Sequence, residues 1–227
     1  MVVQAFARLK RLFSRVAAPP PILFDAARYM RLYPDVAEAG VDPLTHYITH
    51  GSREGRSPHT VFDAAWYIGQ RDAPPPGDPL ADYAHRGWKA GASPHPLFHV
   101  GHYRRQLGGE PAVSDLQHYL KEGWRRGLDP HPYFSVAHYL NHNPDVAKSG
   151  IEPLTHYLTI GAHEDRAAHP RFDARFYRAA YLLDAPEGTV PLIDFVVRGW
   201  VLSRRPLADA PQDWRAETFH RIASRTS

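Results

Sequence analysis

The stretch Phe24 to His59, FDAARYMRLYPDVAEAGVDPLTHYITHGSREGRSPH, decides the fold, because the chain repeats it. Phe recurs at Phe24, Phe62, Phe98, Phe134 and Phe172, and a Tyr stands five residues after each, at Tyr29, Tyr67, Tyr103, Tyr139 and Tyr177. A Leu opens the second half of each copy (Leu44, Leu80, Leu116, Leu154, Leu192), and an aromatic follows three residues on (Tyr47, Tyr83, Tyr119, Tyr157, Phe195). Gly51, Gly87, Gly123, Gly161 and Gly199 close the copies, at spacings of 36, 36, 38 and 38 residues. Self-similarity at such a period marks a repeat architecture, in which each unit buries its apolar face only against its neighbours.

Each copy reads as two short helices. In the first, Asp25, Asp63, Ser135 and Asp173 are favoured N-caps, with His99 at the same place in copy three; the flanking Phe and Tyr hold the N′ and N4 spacing of a hydrophobic staple. In the second, Asp42, Asp78, Ser114 and Glu152 stand at the N-cap, and Pro43, Pro79, Pro153 and Pro191 at N1. Leu44, Tyr47, Ile48 and Gly51 then share one face, with the Gly as the helix stop. A helix of about two turns is unstable alone, because nucleation is costly, and must gain its stability by stacking. Between the two helices, Pro-Asp-Val-Ala at 34–37 and 144–147 forms a variable connection, with Asn143 as a further N-cap before Pro144. After the closing Gly, Gly55, Gly91 and Gly127 suit a left-handed turn, and Pro58-His59, Pro94-His95, Pro130-His131 and Ala168-His169 lead into the next copy.

The expected fold is therefore all-α: a solenoid-like array of five short helical-hairpin repeats of 36–38 residues, with terminal capping helices. The repeats span 22–207, as copies at about 24–61, 62–97, 98–133, 134–171 and 172–207. Copy five lacks the Pro-His pair, as terminal repeats often diverge. Residues 1–21 read as a basic amphipathic helix and a Pro-rich linker, with Val2, Phe6, Leu9, Phe13 and Val16 on one face. That helix either caps the first repeat or lies on an anionic membrane surface through residues 2–17. Residues 208–227, with Trp214, Phe219 and Ile222, read as a C-terminal capping segment.

Composition narrows the function. With 43% hydrophobic and 22% charged residues the chain has material for a core and a solvated surface. The absence of cysteine excludes disulfides and thiolate-bound zinc. A net charge of +3 argues against nucleic acid as a partner. Arg8, Lys10, Arg11 and Arg15 interrupt any signal-peptide core, and no stretch approaches the roughly 20 apolar residues of a membrane span, so the expected location is cytoplasmic, peripheral to the inner membrane if residues 2–17 bind lipid.

Two of the histidine sets are periodic: His59, His95, His131 and His169 in loops, and His46, His118 and His156 on the second helix, where Asp82 and Asp194 replace them in copies two and five. Equivalent positions on stacked helices lie about 8–10 Å apart, too far to share a zinc ion at about 2.0–2.1 Å, so these read as structural. Asp35 and Asp145 have the chemistry of calcium ligands or catalytic acids, but also suit the first turn of a helix. No nucleophile elbow, P-loop or dinucleotide fingerprint is present, so no catalytic residue, cofactor or metal is assigned. The candidate ligand contacts are Trp88, Trp124 and Trp200, just after the closing Gly, with Lys89, Arg125 and Arg126 beside them. Such a ridge either stacks sugars and contacts phosphates or covers the helix ends of its own repeats.

The pattern F-D-x-x-x-Y…N-P-D-V-A…P-L-x-H-Y-x-x-x-G-x-x-E-G-R resembles a bacterial repeat found in extensions of glycosyltransferases and rhamnan-synthesis-type proteins, and in some large surface or calcium-binding proteins. Copy one (Phe24 to Arg56) and copy four (Phe134 to Arg166) carry it most fully; copies two, three and five lack Pro-Asp-Val-Ala and Glu-Gly-Arg. The resemblance implies a non-catalytic module in envelope-polysaccharide biosynthesis, with a protein partner such as a glycosyltransferase. Its alternatives are a glycan-binding module using the Trp and basic positions, or a fragment or accessory subunit of a glycosyltransferase.

Overall fold

A computed structural model describes residues 19–75, 77–211 and Trp214. The expected N-terminal helix and nearly all of the C-terminal capping segment lie outside these residues. The protein is an all-α repeat array. Among the described residues the only extended pairings are isolated bridges that join His59 to Phe62, His131 to Phe134 and His169 to Phe172. The chain forms two compact units, residues 1–122 and 123–227, and the boundary falls inside copy three.

In the first unit, copy one opens with the helix Ala26–Leu32, copy two with Ala64–Gly69 and copy three with Val100–Leu107. In the second unit, copies four and five open with Val136–His142 and Ala174–Tyr181. All five are capped by the residue after the repeat's Phe. Asp25 accepts the Arg28 amide at 2.9 Å, Asp63 that of Trp66 at 2.9 Å, Ser135 that of His138 at 3.4 Å and Asp173 that of Phe176 at 3.0 Å. His99, outside the usual cap types, does the same through Nδ1 to the His102 amide at 3.0 Å. The second helices start as α and finish as a π turn, as in Pro43–His46 followed by Tyr47–Gly51. Asp42, Asp78, Ser114 and Glu152 cap them, while Val190 in copy five does not.

Three rings fill each copy. Phe24, Tyr29 and Tyr47 stand 5.3, 5.6 and 5.9 Å apart, with the two tyrosines edge to face at 82°. Phe172, Tyr177 and Phe195 repeat the triangle at 5.5, 5.3 and 5.7 Å. Offset and edge-on geometries of this kind exceed what area burial alone contributes. A backbone bond then clips copies one, two, four and five shut: Asp25 N–H donates to the Pro58 carbonyl at 3.0 Å, Asp63 to Pro94 at 2.9 Å, Ser135 to Ala168 at 3.0 Å and Asp173 to Pro206 at 3.0 Å. Copy five lacks Pro-His but keeps the clip, because Pro206 supplies the same carbonyl.

The structure corrects three sequence expectations. The closing Gly is not a helix stop. Its backbone stays right-handed into Ser52, and a Cβ at Gly51, Gly87, Gly161 or Gly199 would overlap the hydroxyl of Tyr29, Tyr67, Tyr139 or Tyr177. The stop lies four residues later, where Gly55, Gly91 and Gly127 take φ of 71°, 78° and 74°. Asp165 and Ser203 hold the same left-handed place at 52° and 57° without being glycine. Asn143 does not cap with its side chain; the helix before it ends directly there, so its Nδ2 turns back to donate to the Tyr139 carbonyl at 2.7 Å. Leu44 is only half-buried, whereas Leu80, Leu116, Leu154 and Leu192 are fully buried.

Gly87→Ala places its methyl against a rigid buried ring and should lower stability by about 1–3 kcal/mol, seen as a lower urea midpoint at unchanged slope. Ser203→Gly relieves a left-handed backbone and should raise the midpoint by the equivalent of about 1 kcal/mol.

Candidate functional site

A buried tyrosine hydroxyl needs an acceptor, and the second helix supplies one in each copy. Tyr29 bonds His46 Nδ1 at 3.0 Å, Tyr139 bonds His156 Nδ1 at 2.9 Å, and Tyr103 bonds His118 Nδ1. Where the sequence exchanges His for Asp, the carboxylate takes over: Tyr67 donates to Asp82, and Tyr177 to Asp194 at 2.7 Å. A neutral imidazole needs no counter-ion, but a buried carboxylate does. Asp82 accordingly pairs with Arg71 at 3.1 Å and Arg86 at 2.7 Å, and Asp194 with Arg198 and with Arg204 at 2.8 Å. Two of these partners, Arg86 and Arg198, sit four residues after the Asp and were readable as helix-face pairs. Burial raises the Tyr29 phenol to about 12 and pushes Tyr67, Tyr139 and Tyr177 further up. The phenols keep their protons at neutral pH, so these pairs are fixed hydrogen bonds and not proton-transfer couples.

Asp35 and Asp145 are ion-paired. Arg56 grips Asp35 in a two-pronged contact at 3.0 and 2.9 Å, donates to Glu54 at 2.6 Å and lies over the Tyr33 ring at 4.7 Å. Arg166 holds Asp145 at 2.7 Å and Glu164 at 2.6 Å. The guanidinium beside Asp35 holds its carboxyl below the ordinary range. This contact explains why Pro-Asp-Val-Ala and Glu-x-Arg (Glu54-Gly55-Arg56 and Glu164-Asp165-Arg166) occur together in copies one and four and are missing together elsewhere. Among the described residues no group of three His, Asp or Glu side chains is placed to hold a metal ion.

The tryptophan ridge is largely covered. In the first unit, Trp88 is 7% exposed, with Lys89 Nζ 5.6 Å and the Arg104 guanidinium 5.9 Å from its ring centroid. Arg104 also donates to the Trp88 carbonyl and holds the buried Asp115 at 2.8 Å. In the second unit, Trp124 is 9% exposed under the Arg125 guanidinium at 4.4 Å, Arg126 is exposed, and Trp200 packs edge-on against Trp214 at 4.9 Å. The indoles therefore cover helix ends, and the exposed chemistry at these positions is that of Lys89, Arg125 and Arg126.

The Pro-His histidines organise the links between copies. Nδ1 of His59, His95, His131 and His169 accepts the amide two residues on, from Val61, Leu97, Tyr133 and Arg171, at 3.0–3.1 Å. An Nδ1 acceptor is unprotonated, so the proton sits on Nε2. Burial pushes His59 and His95 down to about 4, against the pull of Asp25 on His59 and of Asp63 on His95, while Arg28 adds to the push on His59.

No protein family, curated protein or solved structure matches the chain.

The histidine turns generate a pH dependence. The folded values of His59 and His95 lie below the unfolded one near 6.5, so their stabilisation is fully present above pH 6.5 and is lost as pH falls from about 6.5 through 4. Each contributes up to about 3 kcal/mol over that window. Urea midpoints should fall steeply between these pH values. In a His59→Asn, His95→Asn double variant, whose Oδ1 accepts the same amides but does not titrate, the fall should flatten.

Proposed function

We propose that the protein is a non-catalytic helical repeat module that acts as a protein-interaction scaffold. By the resemblance of its repeat, the partner class is a glycosyltransferase of bacterial envelope-polysaccharide biosynthesis. One observation carries this reading. The recurring residues, from the ring triangle and its hydroxyl acceptors to the caps and clips, are consumed inside the repeats, while the exposed apolar residues differ from copy to copy, save Val41 and Ile151, which share one repeat position. Copy one exposes Met30, Leu32 and Val41, copy four Ile151 and Ile160, and copy five Leu183, Val197, Val201 and Leu202, with Leu183 at 82% exposure. A surface that varies over a constant frame is suited to recognising a partner, because the frame needs no reordering on binding.

The glycan-binding alternative through Trp88 and Trp124 draws no support from their burial, since sugar stacking requires an open indole face. Among the described residues no helix is long and apolar enough to cross a membrane. Association with an anionic membrane surface rests on residues 2–17 and belongs to this proposal only as the way the module would be held near a membrane-bound partner.

The scaffold reading predicts that the protein co-purifies with a glycosyltransferase of its own cell. Leu183→Glu, Val201→Glu and Leu202→Glu, each at an exposed site, should release that enzyme without lowering the melting temperature. Retention by the triple variant, or a protein that never co-purifies with such an enzyme, overturns the proposal.

A further inference from the structure

One link between copies breaks the repeat in a way that folding does not require. The residue after the histidine is Pro96, Pro132 and Pro170 in three links, but Thr60 in the link from copy one to copy two. The backbone turn is the same in this link: His59 Nδ1 accepts the Val61 amide at 3.1 Å, and Phe62 N–H donates to the His59 carbonyl at 3.2 Å. Proline therefore suits the turn, and threonine adds a hydroxyl that the turn does not use. That hydroxyl is buried and makes no hydrogen bond. An unsatisfied buried hydroxyl costs about 1–3 kcal/mol, so its presence asks for a partner.

Thr60 lines a groove of about 480 Å3 within the first unit. Arg53, Asp63, Ala64, Ala65 and His95 line the same groove. The volume falls within the roughly 300–1,000 Å3 of small-ligand sites. His95 is 5% exposed, and with Nδ1 committed to the Leu97 amide its proton is on Nε2, which bonds no protein group among the described residues. Arg53 makes no ion pair there, and Asp63 uses only Oδ1, on the Trp66 amide.

We propose that this groove binds a polyhydroxylated small ligand, a saccharide ring, through Arg53, Thr60, Asp63 and His95. Each sugar hydroxyl both donates and accepts, and the groove offers both halves. The His95 Nε2–H and the Arg53 guanidinium donate, the free Asp63 oxygen accepts, and the Thr60 hydroxyl does either. Ala64, Ala65 and Ile68 give an apolar strip for the ring's C–H face. A simple anion fits less well, because the Asp63 carboxylate shares the groove with the single guanidinium. The proposal is independent of the scaffold reading and of the tryptophan ridge; a glycosyltransferase partner and a bound sugar are separately testable.

The test is a printed array of mono- and oligosaccharides, followed by calorimetry with the saccharide best retained by the wild-type protein. Thr60→Pro installs the residue of the other three links, so it removes the hydroxyl while preserving the turn. His95→Asn keeps an acceptor for the Leu97 amide and removes the Nε2–H. Thr60→Pro should melt at or near the wild-type temperature at pH 7.5, and His95→Asn somewhat lower but still cooperatively, because part of a buried ring is lost; both should bind about tenfold more weakly or worse. Absence of any retained saccharide overturns the proposal, as does unchanged affinity in both variants. Should Thr60→Pro fail to fold, His95→Asn and Arg53→Ala carry the same comparison.

Discussion

The contact on which the rest depends is the tyrosine hydroxyl laid against the closing glycine. In four copies a methyl group at that glycine would occupy the hydroxyl's place, so the two helices of a copy meet only because one residue has no side chain. Drawn that deep, the hydroxyl must find an acceptor, and the same second helix provides His or Asp one turn before the glycine. Where the acceptor is charged, arginines gather around it. The ring of the same tyrosine completes the triangle with Phe and the second-helix aromatic, which positions the cap residue that follows the Phe. Glycine, acid or imidazole, arginine, staple and cap are thus consequences of seating one phenol.

Much of this frame was legible in the sequence, because it rests on residue types with strong local preferences. Asp25 and Asp42 as caps, Pro43 at N1, and Phe24 with Tyr29 as a staple all follow from rules that act within five residues of chain. The misreadings concern contacts made across a copy. Gly51 looked like a stop because the approach of Tyr29, 22 positions earlier, leaves no mark in spacing. Asp35 stands in the first turn of a helix, one of the two places its sequence allowed; what spacing did not give is its partner Arg56, 21 residues away, although the shared presence of Pro-Asp-Val-Ala and Glu-x-Arg in copies one and four was a signal for the pair. The tryptophans show the same limit at the candidate site. Their recurrence beside Lys89 and Arg125 could be read, but their burial depends on which surface the helix end turns inward, and the sequence does not state that.

Departures from the repeat are more informative than the repeat. Copy five carries Phe195 where the others have Tyr, and Trp214 packs against it at 5.6 Å. Elsewhere that tyrosine reaches forward: Tyr47 donates to the Asp78 cap of copy two at 2.7 Å, and Tyr83 accepts the Leu116 amide of copy three at 3.2 Å. Phe195 carries no hydroxyl, so with an indole against it no polar group is stranded there. Tyr157 shows the cost of keeping it, since Val190 replaces the capping residue ahead and the hydroxyl is buried without a partner. Thr60 is the opposite case, a polar group added where the turn has no use for one.

The clip between Asp25 and Pro58 also bears on how such a chain arose. Because, in copies one, two, four and five, the amide that begins a copy is bonded to the carbonyl that ends it, the backbone enters and leaves each of these copies at nearly the same point in space. A complete copy can therefore be spliced in or cut out at the Pro-His junction, and the flanking strands of backbone rejoin without being stretched. The difference between 36- and 38-residue copies is taken up by the connection between the helices, away from the junction. Duplication of gene segments of one repeat length is, for this fold, a change in number that leaves the construction rule intact.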